Sequence, residues 1–197
     1  MLKFTTLFIF SLSIAFVGCT QVERIGEKDI VDFSGKWNNT DSRMVAEEMI
    51  KDSLDQYWLT EFFKSEKKEP VVVLGSVVNN SAEHINVQTF TKEIERAFVN
   101  SRKIKVVANV FERQELRAEL DRMKKHARPE TIKKIKKETG ADFILMGVIN
   151  DIVDRERGNT VQSYQVNLEL INLENHEKSW IGQKKINKVV KKRKFGF

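Results

Sequence analysis

Pro70-Val-Val-Val-Leu-Gly-Ser-Val-Val78 is an uninterrupted apolar run rich in β-branched side chains. Such a run reads as a central strand buried on both faces, and Asn79-Asn80-Ser81 ends it. Upstream, Val45/Ala46, Met49/Ile50, Leu54, Tyr57/Trp58 and Phe62 recur every three to four residues. That spacing predicts a helix from Asp41 onward, which Thr40 or Asp41 can cap. Downstream, a second helix is expected over residues 87–101. Asn86 is its N-cap, and Ile85 and Phe90 have the spacing of a hydrophobic staple.

Residues 104–108 read as a short strand. Residues 111–125 read as a helix with Leu116, Leu120 and Met123 turned inward. Pro129 opens a further helix that Gly140 stops. The last third is β. Phe-Ile-Leu-Met-Gly-Val-Ile lies within 142–151, Arg157-Gly158-Asn159 is a turn signal, and Val166, Leu168 and Leu170 alternate with polar neighbours. A turn over 174–177 leads to a final strand over 179–190. The order α-β-α-β-α-α-β-β-β implies an α/β fold, a mixed sheet with helices packed on it.

Hydrophobic content of 41% beside 31% charged residues fits one folded domain, and two prolines with nine glycines leave no room for long disordered stretches. The net charge of +6 is uneven. Lys184, Lys185, Lys188, Lys191, Lys192, Arg193 and Lys194 crowd the C-terminus, and Lys124, Lys125, Lys133, Lys134, Lys136 and Lys137 form a second cluster. Basic runs are usually solvated faces, yet they also grip polyanions.

Cys19 is the sole cysteine, and it stands where an apolar N-terminal run ends. Lys3 precedes that run, Phe4 to Val17 carry no charge, and Gly18 is small. This is the layout of a secretory signal, too short to span a bilayer comfortably. With the cysteine it resembles the bacterial lipoprotein signal, in which the thiol receives a diacylglycerol and the new N-terminus a further acyl chain such as palmitate. One acyl chain binds a membrane only marginally, whereas two or three hold it firmly. The expected organisation is therefore a signal peptide over 1–18, a short linker over 19–32 and one α/β domain over 33–197. Spending the only cysteine on the anchor leaves no disulfide. For an exported protein nucleic acid is not the expected partner, and anionic lipid or an acidic wall polymer is.

No catalytic, cofactor or metal site is expected. His84, His126 and His176 lack a second ligand at metal spacing. There is no Gly-x-Ser-x-Gly elbow and no glycine-rich loop between a strand and a helix. Pairs such as Glu47/Glu48 and Asp151/Asp154 are expected by chance among 28 carboxylates. One polar, turn-forming segment stands out: Phe33-Ser-Gly-Lys-Trp-Asn-Asn-Thr-Asp-Ser-Arg43. Asn38, Asn39, Thr40, Asp41 and Ser42 can bond neighbouring backbone and fix a loop. Either the segment is a structural cap that pins the chain onto the sheet, or it is a recognition loop presenting Trp37 and Arg43, residue types favoured at binding hot spots.

Gly35-Lys-Trp-Asn-Asn-Thr-Asp-Ser-Arg43 resembles the opening motif of the LpoB-like outer-membrane lipoproteins, activators of penicillin-binding proteins. Val71-Val-Val-Leu-Gly-Ser-Val-Val-Asn-Asn80, Asn100-Ser-Arg-Lys with Val106-Val107, Thr139-Gly-Ala-Asp-Phe-Ile-Leu-Met-Gly147, the stretch 166–171 and Trp180 continue the likeness, which covers 33–190. The Gly-Ala-Asp stretch is shared with a broader group resembling the TolB N-terminal domain and the CsgG secretion pore. The resemblance implies a small α/β domain without catalytic residues, anchored in the outer membrane, since Thr20 is not the aspartate of retained lipoproteins. It implies a bifunctional peptidoglycan synthase as partner, and stimulation of that enzyme. The broader group implies an alternative, a structural subunit of an envelope assembly or secretion complex. One departure is physical. Residues 20–31 reach at most about 40 Å fully extended, whereas the family's activators use a long tether.

Overall fold

The computed structural model describes residues 26, 29, 32, 34–126, 139–156 and 159–191. The order of elements is α1 (Asn39–Leu54), α2 (Tyr57–Glu66), β1 (Val71–Asn79), α3 (Val87–Ser101), β2 (Lys105–Val107), α4 (Val110–His126), β3 (Phe143–Glu156), β4 (Asn159–Asn172) and β5 (Lys178–Lys191). The strands form one mixed sheet in the order β2-β1-β3-β4-β5. β2, β1 and β3 run parallel, while β4 and β5 are antiparallel hairpin partners.

One face of the sheet carries the core. Val72 and Leu74 of β1, Phe143, Leu145 and Ile149 of β3, and Tyr164, Val166, Leu168 and Leu170 of β4 are buried. Val45, Ala46, Met49 and Ile50 of α1 and Phe90, Ile94 and Phe98 of α3 close over them. α3 begins as its sequence dictates. The Asn86 side chain accepts from the N–H groups of Gln88 and Thr89, and Ile85 and Phe90 are both buried.

Four expectations need correction. The single helix from Asp41 is two helices, broken at Asp55-Gln56. The apolar spacing runs through the break, but the Trp58 indole donates to the Ser53 carbonyl at 2.7 Å and stabilises the interrupted turn. Neither Thr40 nor Asp41 caps α1. Asn38 does, its side chain accepting from the Asp41 N–H while the Asp41 carboxylate accepts from the Asn38 N–H, so both residues lie inside the first turn. β1 is buried on both faces only over 71–74. Beyond a register shift between Leu74 and Val77, Val78 is 51% exposed, because no described helix covers that side.

Leu116 and Met123 do not turn inward. α4 spans about 25 Å by its rise per residue, whereas the edge strand β2 has three residues and covers about 10 Å. The sheet cannot shelter the helix, and α4 is tied back to α3 at its first turn through Lys92 and Glu112, 2.7 Å apart. That pairing holds the Lys92 ammonium above its ordinary range and the Glu112 carboxyl below its own. The helix expected from Pro129, and Arg157-Gly158 of the expected turn, lie outside the described residues. β3 and β4 pair as far as Glu156 and Asn159 on either side of that turn.

Candidate functional site

The segment from Trp37 to Arg43 sits where α1 meets the sheet. The Trp37 ring packs edge-on against Phe90 at 6.0 Å and against Tyr164 at 5.5 Å. Its indole N–H donates to Ser42 Oγ at 2.8 Å, and Ser42 Oγ in turn donates to the Asn38 carbonyl at 3.3 Å. The Trp37 backbone N–H is shared between Tyr164 Oη at 3.0 Å and Glu83 Oε2 at 3.2 Å. Trp37 is thus packed at the rim of the core, and Asn39 is exposed at the start of α1 while Thr40 is half-buried behind it.

Two partners of this loop were invisible in the sequence. The first is Glu83, on the connection from β1 to α3. Its carboxylate accepts from Tyr164 Oη at 2.7 Å and from Gln162 Nε2 at 2.9 Å, in addition to the Trp37 N–H. Burial first, and this hydrogen bond second, push the Tyr164 phenol above its ordinary value. The second is Lys188, which the sequence places in a basic run and the structure buries at 7% exposure. Its ammonium meets Asp41 Oδ2 at 2.6 Å, Asp32 Oδ2 at 3.0 Å and the Lys36 carbonyl at 2.8 Å. A solvated face is therefore the wrong description of Lys188. The alternation of β5 points it at the core side of the sheet, where Asp41 compensates its charge.

Arg43 is placed differently from the rest of the loop. It lines an open groove between α1 and α3 together with Glu47, Lys51, Glu93, Arg96 and Lys103. One guanidinium nitrogen approaches Glu47 at 3.5 Å, while Nε is buried without a hydrogen-bond partner among the described residues. The Arg43 side chain as a whole is 14% exposed, so it borders the groove with little free surface. The structure therefore separates Trp37 from Arg43, although sequence reasoning treated them as a pair.

Among the described residues, no group of three or more His, Cys, Asp or Glu side chains is placed to hold a metal ion. His84 and His176 are exposed on connections, and the side chain of His126 lies outside the described residues. No described helix is long and apolar enough to cross a membrane. Cys19 also lies outside the described residues.

Residues 41–186 match the family described as the peptidoglycan-synthase activator LpoB. The chain belongs to the LpoB family. No curated protein matches it. Among solved structures, the LpoB C-terminal domain from Salmonella enterica is 15% identical, over 74% of this chain and 98% of that one, with a TM-score of 0.43. The same domain from Escherichia coli is 15% identical with the same coverage and a TM-score of 0.44. Lipoprotein GNA1162 from Neisseria meningitidis is 14% identical over 64% of this chain and 88% of that one, at a TM-score of 0.41. The LpoB match begins at Asp41 and ends at Ile186, so it leaves out Trp37 and the cap residue Asn38 and takes in Arg43, the helices beside it and most of the sheet.

Proposed function

We propose that this chain is a non-enzymatic, lipid-anchored protein of the outer membrane that binds a bifunctional peptidoglycan synthase and stimulates it. The observation that carries the reading is the LpoB match over 41–186. The anchor is Cys19, carrying diacylglycerol after removal of residues 1–18. Arg43 supplies a contact in the α1–α3 groove, where its guanidinium receives an acidic group of the synthase. Trp37, Asn38, Asp41 and Ser42 act behind it by fixing the start of α1. With a tether of at most about 40 Å, the synthase must reach out toward the outer membrane to be met.

The test is glycan polymerisation by a purified bifunctional synthase, with and without this protein, alongside direct binding. Stimulation with saturable binding is expected, and Arg43→Ala weakens binding while leaving the thermal melt near that of the parent. A synthase that neither binds nor responds would overturn the proposal. Cys19→Ser in cells is expected to abolish labelling by a palmitate analogue, and label that persists would remove the anchor from the reading.

A further inference from the structure

The break between α1 and α2 borders a second concave space, at the end of the sheet away from Trp37. α2 forms one wall of it, and the turn joining β4 to β5 forms the other. The cleft holds about 820 Å³, a size that suits a side chain or a short peptide. Tyr57, Trp58, Phe62 and Trp180 give it an aromatic lining. Trp58 and Trp180 are buried, whereas Tyr57 is 67% exposed.

The polar lining is acidic, in a chain whose net charge is +6. Asp52, Glu61 and Glu177 stand against one cation, Lys178, which is already paired with Glu169 at 2.8 Å. Asp52 accepts from two neutral donors, the Trp180 indole N–H at 2.9 Å and the Gln56 amide at 3.2 Å. Glu177 accepts from the Asn175 amide at 2.8 Å. None of the three carboxylates forms an ion pair with a described residue. Lys68 nearby is engaged with Asp142 at 2.8 Å, and Lys64 of α2 does not line the cleft. Lys68 also stands 5.7 Å from the centre of the Phe62 ring, so one ring of the lining already carries a cation on its face. Carboxylates scattered over a convex surface are solvated and need no partner. Three that line one concavity, beside an exposed tyrosine, leave negative charge facing a space of side-chain size.

We propose that this cleft seats a lysine or arginine side chain of a partner protein, which by the proposed function is the synthase. The choice of the synthase rests on that reading, whereas the choice of a cation rests on the cleft alone. A cation there meets carboxylates from two walls, Glu61 on α2 and Glu177 on the turn. The Tyr57 ring offers it an aromatic face. A neutral sugar would use the rings and leave the charges unanswered, and an acidic polymer would be repelled. Complementary charge of this kind governs partner choice and association rate, and it weakens with salt.

The experiment follows amide chemical shifts of the mature chain carrying Cys19→Ser while a tetra-arginine peptide is added, with tetra-glutamate as the control. Saturable shifts are expected over 52–62 and 172–181 with the basic peptide alone, shrinking as salt is raised. Glu61→Gln combined with Glu177→Gln is expected to weaken that binding on the order of tenfold. Tyr57→Ala is expected to weaken it about two- to fivefold, and a thermal melt of each variant shows whether the fold persists. The same double variant is expected to bind a purified synthase on the order of tenfold less tightly than the parent. Shifts that fall elsewhere, shifts alike for both peptides, or binding unchanged in both variants would overturn the proposal. Shifts that grow with protein concentration before any peptide is added would assign the cleft to a second copy of the chain, and overturn it also. A parent that fails to bind the synthase removes the proposed function and leaves the cleft to be judged by the peptide. A synthase that binds parent and double variant alike, while the peptide distinguishes them, keeps the cation cleft and removes the synthase as its occupant.

Discussion

Replacing Lys188 by Met tests whether the buried ion pair holds the N-terminal segment on the sheet. In the parent, the Lys188 ammonium faces Asp41 at 2.6 Å and Asp32 at 3.0 Å, with side chains 7%, 9% and 35% exposed respectively. Methionine keeps the apolar stem and removes the charge. Asp32 can then turn to water, but Asp41 stays buried, with the Asn38 N–H at 2.9 Å still donating to it. Stranding one partner of a buried pair costs about 3–5 kcal/mol. For a domain of this size each kcal/mol moves the melting temperature by about 2–4 °C, so a fall of about 6–12 °C is expected at the lower end of that cost. Adding Asp41→Asn removes the stranded charge while an amide oxygen still serves the cap. The double variant should recover about 1 kcal/mol or more relative to the sum of the single losses. Urea unfolding followed by circular dichroism measures all four corners of the cycle at one pH. A Lys188→Met protein melting within about 2 °C of the parent, or losses that simply add, would refute the claim that these charges are desolvated and coupled.

Trp37→Ala should destabilise the domain by about 3 kcal/mol, because it empties the space between Phe90 and Tyr164 and leaves Ser42 without its donor; an unchanged melt would mean the ring is displayed rather than packed. The folded-state phenol of Tyr164 is held above its ordinary 10.0, so the folded chain keeps a proton that the unfolded chain gives up. Its contribution is complete below about pH 10 and declines as pH rises beyond that value; Tyr164→Phe should flatten the alkaline decline measured in urea titrations, and an equally steep decline in the variant would count against it. Gly182→Ala should cost about 1–3 kcal/mol, since the added carbon meets the buried Trp180 ring, itself fixed by its N–H on Asp52 at 2.9 Å. Asn86→Ala should cost about 1 kcal/mol by leaving two N–H groups of α3 without their acceptor; a neutral effect in a thermal melt would show that water replaces the cap.

What the residues settle by themselves is whatever depends on neighbours in the chain. The alternation over 164–170 sets which β4 side chains face the core, and they are the buried ones. Asn86 with Ile85 and Phe90 sets the start of α3, because capping is a contact over two or three residues. The turn formers of 38–42 announce an ordered loop before α1, and the composition of 70–78 announces a central strand. Charge pattern and the lone cysteine motivate an anchored protein without consulting any fold.

Other features required the fold. Asp41 and Lys188 are 147 residues apart, and Glu83 and Tyr164 are 81 apart. No local pattern marks one lysine of a basic run as the buried one. Its fate depends on β5 pairing with β4 in a register that aims position 188 at the start of α1. The exposure of Leu116 has the same origin. Apolar spacing records which side of a helix is greasy, but whether anything lies opposite, and how long that neighbour is, depends on chain segments far away in sequence. Arg43 became distinct from Trp37 for this reason also. Two residues six apart around a helix start face different neighbours, and only the packing of α1 on α3 and on the sheet decides that one is enclosed and the other borders a groove.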